Sequence, residues 1–332
     1  MKKKKIAVIG VGGRTGTMFA FELSQAVDVL GVAMEREVEL IKTGKLFVER
    51  KKEKPQAFKL NVIKNTEFNE KLSPDIIFLA TKNPVSSPIK YYFEECRPKI
   101  PTLLISQNGI AALSEAKRAL REVLGDRVKE AKLVRVILFN PIDKRERDGK
   151  IYIKYSLPIR IAVAEAFGEG GIKDIVEVFQ RAGFEVEEFP LKEARNLEFS
   201  KLFLNLIGMA SASRGVSVRE GFENKEIFKE EVEAIKEYIK TVKLAGGRFL
   251  NFSHYPVGFF AFFFCVLPLD FLIPFRKLIA KIVSRGREGK PKDLDEINYY
   301  NGAVITLGKK IGIETPVNEE IYNRVWKKLK RE

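Results

Sequence analysis

Ile6-Ala7-Val8-Ile9-Gly10-Val11-Gly12-Gly13-Arg14-Thr15-Gly16 is the stretch whose reading decides the fold. Four apolar residues in a row predict a strand covered on both faces, as in a parallel sheet. The glycines behind it let the backbone turn sharply into a helix that begins near Arg14. A strand, a glycine turn and a helix in that order make an anion site. The helix N-terminus presents N–H groups and the positive end of its dipole, and Gly10 and Gly12 give a diphosphate access to the backbone. In the pattern G-x-G-x-x-G the third glycine would fall on Thr15, and Gly16 comes one residue late. Its position after a strand and before a helix predicts a dinucleotide turn, with Gly10, Gly12, Gly13, Arg14 and Thr15 around the pyrophosphate.

Working outward, Met18 to Val27 is helical in pattern and Val29 to Met34 reads as a second apolar strand. Glu35 and Arg36 follow where a dinucleotide fold places its adenosine-ribose reader, and they point in opposite directions. Glu35 would accept hydrogen bonds from a ribose diol and favour NADH, whereas Arg36 would pair with the 2′-phosphate of NADPH. Glu35 stands closer to the strand end, which tilts the expectation slightly toward NADH. A third apolar block, Ile76 to Ala80, leads to Lys82, and a fourth, Leu103 to Ser106, leads to Gln107-Asn108-Gly109. Ligands bind beyond the carboxyl ends of parallel strands, so Lys82 and Asn108 are expected to project toward the cofactor. A hairpin turn at Asn108-Gly109 is disfavoured, because Ala111 to Leu124 reads as a helix.

Strands are further expected at Lys132 to Phe139, Ile151 to Tyr155, Arg160 to Ala164 and Phe184 to Phe189, with a helix at Ile172 to Ala182. Beyond Pro190 the pattern turns wholly helical. The expected architecture is therefore a Rossmann-type α/β dinucleotide-binding domain over residues 1–192, followed by an all-α domain over residues 193–332.

The chain has 332 residues, 45% of them hydrophobic, and a net charge of +15 with 44 acidic residues interleaved among the basic ones. That mixture fits a thermophile-like surface of ion pairs and a field that steers anionic ligands, rather than a nucleic-acid interface. Cys96 and Cys265 have no metal-type spacing, so no metal is expected, and a reduced, cytoplasmic setting is. The opening Lys2 to Lys5 run is followed by too short an apolar stretch for a signal peptide. Val257 to Phe275 is broken by Pro268, Asp270 and Pro274, and reads as buried core or a subunit contact rather than a membrane span. The single histidine, His254, reads as a loop residue.

The helix that begins near Ala194 carries Lys201 and Asn205 one turn apart on one face, among Leu202, Phe203, Leu204, Leu206 and Ile207. An ammonium in apolar surroundings is either a desolvated catalytic lysine or a snorkelling surface one. The residues leave both readings open.

Several separated pieces resemble the ketopantoate reductase family, in the order in which that family has them. They are Ile9-Gly-Val-Gly-Gly13, Lys82, Gln107-Asn108-Gly109, Lys201-Leu-Phe-Leu-Asn205, Glu296-Ile-Asn-Tyr-Tyr-Asn-Gly302-Ala303 and Gly312-Ile-Glu-Thr-Pro316-Val-Asn318. The resemblance spans nearly the whole chain. It implies NAD(P)H-dependent reduction of a small anionic 2-keto acid, foremost ketopantoate to pantoate in coenzyme A biosynthesis, by a homodimer. Lys201 would polarise and protonate the ketone, Asn205 and Asn108 would orient the reactants, and Glu296 would bind a substrate hydroxyl and position the lysine. This chain departs from the family at Thr15, at Met209, where a second substrate-binding asparagine is usual, and in Gly289 to Asp295, which lacks a serine-bearing stretch. Two alternatives are a related dehydrogenase of another keto acid, an opine or a phosphorylated polyol, and a catalytically silent nicotinamide-binding regulator. Against the latter stands the joint presence of Lys201, Asn205 and Glu296.

Overall fold

The quoted stretch folds as β1 (Lys5–Ile9), a glycine turn and α1 (Arg14–Leu23). The computed structural model describes residues 4–96, 99–284 and 289–330. The chain divides into two units, one of residues 1–107 and 111–194 and the other of residues 108–110 and 195–332. In the first unit the chain continues through β2 (Asp28–Ala33), α2 (Glu35–Lys42), β3 (Leu46–Arg50), β4 (Gln56–Ala57), β5 (Val62–Lys64), β6 (Ile76–Leu79), α3 (Ser86–Glu95) and β7 (Thr102–Ile105). It ends with α4 (Ala112–Leu124), β8 (Leu133–Leu138), β9 (Asp143–Arg147), β10 (Lys150–Tyr155), β11 (Ile159–Phe167), α5 (Lys173–Arg181) and β12 (Phe184–Phe189).

The main sheet has eight strands in the order β12-β11-β8-β7-β6-β1-β2-β5. Its neighbours run parallel except β8 and β11. Residues 6–9, 76–79 and 103–105 are each at most 2% exposed, as continuous apolar runs in a doubly covered sheet must be. The strand order reverses at β1, between β6 and β2, which puts the glycine turn at the sheet's topological switch point.

A second sheet, β4-β3-β10-β9, has no counterpart among the sequence expectations, and the strand expected at Ile151 to Tyr155 belongs to it. Helix α1 lies between the two sheets. Phe19 meets Phe78 and Phe184 of the main sheet at ring distances of 4.4 and 5.5 Å, while Phe21 faces Phe58, just beyond β4, at 6.3 Å. Packing on both sides accounts for a helix in which every residue from Gly16 to Leu23 is buried. Its one carboxylate, Glu22, meets Arg50 of β3 through two hydrogen bonds of 2.9 and 2.8 Å and accepts the Tyr155 hydroxyl of β10 at 2.5 Å. Donation to the Glu22 carboxylate raises the Arg50 guanidinium pKa, and burial raises that of the Tyr155 phenol.

The helix expected to reach Val27 stops at Leu23. There the Ser24 hydroxyl and the Gln25 amide both donate to the Phe21 carbonyl, at 2.7 and 3.3 Å, and draw the chain into a turn.

The second unit contains α6 (Ala194–Leu206), α7 (Met209–Ser213), α8 (Val218–Glu223), α9 (Lys225–Leu244), α10 (Val257–Val266), α11 (Leu269–Leu272), α12 (Arg276–Val283), α13 (Asn301–Ile311) and α14 (Pro316–Leu329). Among the described residues it has no strand, only an isolated bridge between Phe252 and Tyr255. Helix α9 is its spine, with Phe228, Val232, Ile235, Tyr238, Ile239 and Val242 at most 1% exposed. From α9, Glu237 accepts the Val317 and Asn318 N–H groups at 2.9 and 3.0 Å and so caps α14, while the Asn301 amide donates to Asn318 at 3.0 Å. These bonds give the C-terminal motif residues a structural task, which is to lock α13 and α14 onto α9.

The apolar segment from Val257 onward is core on its inner side only. Val257, Ala261, Phe264 and Leu272 are buried, whereas Phe259, Phe262, Val266, Phe271, Phe275, Leu278 and Ile282 are 48% to 64% exposed. Among the described residues no single helix is long and apolar enough to cross a membrane; 257–266 and 269–283 pass such a test only as a pair bent by 119°. Neither Cys96, which is buried, nor Cys265, which is exposed, is in a disulfide.

Candidate active site

In the first unit the candidate site is a glycine turn made of backbone. Gly10 and Gly12 have φ of +96° and +95°, a region that glycine occupies without strain. A Cβ on Gly10 would stand 3.0 Å from the Ala80 carbonyl oxygen, so the turn lies tight against the end of β6. A Cβ on Gly16 would stand 2.2 Å from the Gly10 oxygen, nearer than any real contact. Gly16 therefore does the work of the third glycine one position late, letting α1 close onto the turn, and Thr15 has no need to be glycine. No side chain caps α1 and no acidic residue lies in its first turn, which leaves the positive end of the helix to an anion. Thr17 accepts the Gly12 N–H at 2.9 Å and fixes the turn from within.

Around this turn Arg14 and Lys82 are exposed, Arg14 at the start of α1 and Lys82 in the loop after β6. Glu35 and Arg36 open α2, and Glu35 is bound by Lys64 of β5 at 2.5 Å. That ion pair lowers the Glu35 pKa and raises that of Lys64. Arg135 of β8 is 1% exposed, and its guanidinium holds the carbonyls of Ile105 at the end of β7, Val136 and Gln107 at 3.0, 2.9 and 2.5 Å. These bonds fix the backbone where the chain leaves this unit at Asn108.

In the second unit a separate cluster is made of side chains from distant segments. The Asn108 amide donates to Glu296 Oε2 at 2.9 Å, and the Tyr300 hydroxyl donates to the same oxygen at 2.7 Å. The Asn205 amide donates to Asn108 Oδ1 at 3.3 Å. Asn108 thus bridges the Glu296 carboxylate to α6, where Lys201 lies one turn before Asn205 and is half-buried. The Gly109 backbone, at φ +100°, packs against Tyr299, so the Asn108-Gly109 turn is seated on the segment that carries Glu296.

Helix α6 breaks at Gly208, whose φ is +91° and whose Cβ would stand 2.5 Å from Val218 Cγ2. Glu231 of α9 fills the break by accepting the Gly208 and Ser211 N–H groups at 3.0 and 2.8 Å and the Ser211 hydroxyl at 2.7 Å. Its complete burial raises the carboxyl pKa against those donors. Lys292, from the segment just before Glu296, donates to the Asn205 and Ile207 carbonyls at 2.5 and 3.2 Å and lies 5.8 Å from the centre of the Tyr300 ring. Met209 is 1% exposed and packs in the core at the start of α7.

The structure therefore brings Asn108, Asn205 and Glu296 together, with Lys201 on the adjoining turn. It places Asn108 in the second unit, hydrogen-bonded to Glu296 and Asn205. Tyr300 and Lys292 are not singled out by the sequence. Tyr300 is visible there as Glu296 plus four, a helical spacing; Lys292 resembles an ordinary loop lysine. Among the described residues no group of three or more His, Cys, Asp or Glu is placed to hold a metal ion.

Two family models match the chain: ketopantoate reductase PanE/ApbA over residues 6–152, and the C-terminal domain of the same family over residues 292–328. Together they take in the glycine turn, Asn108 and Glu296, and more than half of the chain. The chain belongs to the ketopantoate reductase PanE/ApbA family. It is an oxidoreductase of that family by these matches. No curated protein matches it. Solved structures of similar fold include a PanE/ApbA family ketopantoate reductase from Ralstonia eutropha, 15% identical with a TM-score of 0.71, the match covering 97% of each chain. A 2-dehydropantoate 2-reductase from Geobacter metallireducens is 17% identical, with a TM-score of 0.65 over 97% of this chain and 99% of that one. A D-mandelate dehydrogenase, solved with NADH and anilino(oxo)acetate, is 18% identical, with a TM-score of 0.70 over 98% of this chain and 97% of that one. At such identities the likeness is one of fold.

Proposed function

We propose that this family member reduces ketopantoate to pantoate with a nicotinamide cofactor. The observation that carries the reading is the Asn108 bridge, which ties the Glu296 carboxylate to the helix of Lys201 and Asn205. The glycine turn fits a dinucleotide, because Gly10 and Gly12 take the positive φ of a tight turn, Gly16 lets α1 close onto it, and the N-terminus of α1 is uncapped. Gly10, Gly12, Gly13, Arg14 and Thr15 would hold the diphosphate, and Lys82 would add charge beside it. When bound, the reduced nicotinamide supplies the hydride that forms the new C–H bond at C2 of the keto acid.

The chain's own residues supply the remainder. As the ketone π pair moves onto oxygen, the Lys201 ammonium stabilises the growing charge and gives up a proton, leaving a neutral amine and an alcohol. Asn205 orients the carbonyl. Glu296, with two donors on one carboxylate oxygen, is held to accept a hydrogen bond from the substrate hydroxyl. Ketopantoate carries such a hydroxyl, and simple 2-keto acids do not. The test is oxidation of NADH and NADPH by the purified protein with ketopantoate and with 2-keto acids lacking a hydroxyl. Turnover of the hydroxyl-free acids at equal or better kcat/KM overturns the ketopantoate assignment.

The protein is also proposed to act in the cytoplasm as a homodimer, through the apolar outer side of α10 to α12. Seven half-exposed side chains at about 100 Å² each approach the ~800 Å² that one partner gives a standard interface. Sedimentation of wild type and Phe262→Asp tests this, and an unchanged mass refutes the interface.

A further inference from the structure

Of the two acidic residues in the first turn of α2, the one that faces the glycine turn is Glu37. Glu35 is 73% exposed at its side chain and engaged with Lys64. Glu37 lies on Gly12 itself, its Cγ only 2.2 Å from the point that a Cβ on Gly12 would occupy. Its Oε2 is buried and has no hydrogen-bond partner. A buried carboxylate oxygen without a donor costs on the order of 1–3 kcal/mol or more, and proteins leave one so where a ligand supplies the donor. Lys144 of β9, from the second sheet, donates to the Gly12 carbonyl at 3.0 Å and holds that peptide in place beside Glu37.

We propose that Glu37 is the adenosine-ribose reader of this protein, accepting the ribose 2′- and 3′-hydroxyls. The inference rests on the dinucleotide reading of the glycine turn and makes it more specific. In a sheet of this order the ribose lies beside the glycine turn toward the end of β2, the side from which α2 departs. A vicinal diol offers two O–H donors, which is what an orphaned carboxylate oxygen next to Gly12 lacks. A 2′-phosphate at the same point would bring anion against anion at short range. The side chain therefore selects NADH over NADPH, and Glu35, neutralised by Lys64, takes no part in the choice.

The test measures binding of ADP and of adenosine 2′,5′-bisphosphate to the protein by calorimetry, so that it is independent of turnover. Wild type, Glu37→Ala, Glu37→Gln and Glu35→Ala are compared after thermal melts show each to be folded. Wild type is expected to bind ADP at least about 10-fold more tightly than the bisphosphate, the scale of one charge-assisted hydrogen bond. Glu37→Ala and Glu37→Gln are each expected to lose about 10-fold for ADP and to narrow the preference, with Glu35→Ala within about 2-fold of wild type. Unchanged ADP affinity in both Glu37 variants, or loss in Glu35→Ala instead, overturns the role of Glu37 and leaves the dinucleotide site standing. Folded wild-type protein that binds neither nucleotide overturns the dinucleotide reading, and the Glu37 inference with it.

Discussion

The glycine turn and the Asn108–Glu296 cluster are built by opposite means. The turn is built by consecutive residues and offers backbone N–H groups and the absence of side chains; the cluster gathers side chains from residues 108, 205, 296 and 300 and offers their functional groups. In the first region adding a methyl group is a structural injury, because the space is already taken. In the second, removing a functional group spares the scaffold, since α13 and α14 are locked to α9 by Asn301, Asn318 and Glu237, none of which the proposed chemistry uses.

The largest expected effect falls in the side-chain region. Lys201→Ala should lower kcat by ~10²–10⁴-fold, the size of losing a positioned general acid, with nucleotide affinity and melting temperature close to wild type. Retention of more than about a tenth of wild-type kcat breaks the assignment of Lys201 as the acid.

Gly16→Ala sharpens the contrast from the other side. Its Cβ overlaps the Gly10 carbonyl, so the variant should lose about 3 kcal/mol of stability, read as a lower urea midpoint, together with nucleotide binding. Full stability would show that α1 can shift away, and the turn would then be less rigid than its geometry indicates. Thr15→Gly, at the position where the usual spacing puts the third glycine, should improve neither property.

A smaller effect is expected at Glu296. Glu296→Gln keeps the shape and removes the charge, so KM for ketopantoate should rise about 10-fold while nucleotide affinity is unchanged. If the loss appears in nucleotide affinity alone, the cluster does not hold the substrate.

The smallest effect is a pH dependence at the break in α6. Burial raises the Glu231 carboxyl pKa in the folded protein, so the native state binds this proton more tightly than the unfolded chain does. The contribution is complete below the ordinary glutamate range and is lost as pH rises through the elevated value. Urea midpoints of wild type and Glu231→Gln from about pH 4 to pH 8 should therefore move in the variant's favour as pH increases. A constant difference would mean that the three donors on Glu231 offset its burial.

The strands that pack on both faces are legible in the sequence because they are unbroken apolar runs: residues 6–9, 76–79 and 103–105 have no other use than burial. The second sheet is not. Asp143–Arg147 contains no apolar residue and is a strand only because it pairs with β10, and Gln56–Ala57 is too short to carry a pattern. The same hidden sheet explains Glu22, which looks misplaced in an apolar helix until Arg50 and Tyr155 are brought to it. In the site, Asn205 and Glu296 can be named from sequence, but the Asn108 bridge joins residues 97 and 188 positions apart. Local spacing holds no trace of such a contact. Gly16 reads as a departure because the motif specifies spacing, whereas the fold requires only that the residue facing the Gly10 oxygen lack a side chain.

Helix α1 is held between two sheets, with residues 16–23 buried and its N-terminus uncapped. Its amides cannot meet solvent through a local opening, since loosening either side exposes Phe19 or Phe21 and strips Glu22 of Arg50. Deuterium uptake along Phe19 to Leu23 should thus proceed only through unfolding of the whole unit and follow its global stability. Uptake at Glu35 to Glu39, on a helix with Val38 and Ile41 as its buried anchors, should run orders of magnitude faster. On that clock the pyrophosphate of a dinucleotide bound as proposed would meet a surface that is already set, and its ribose one that opens far more often.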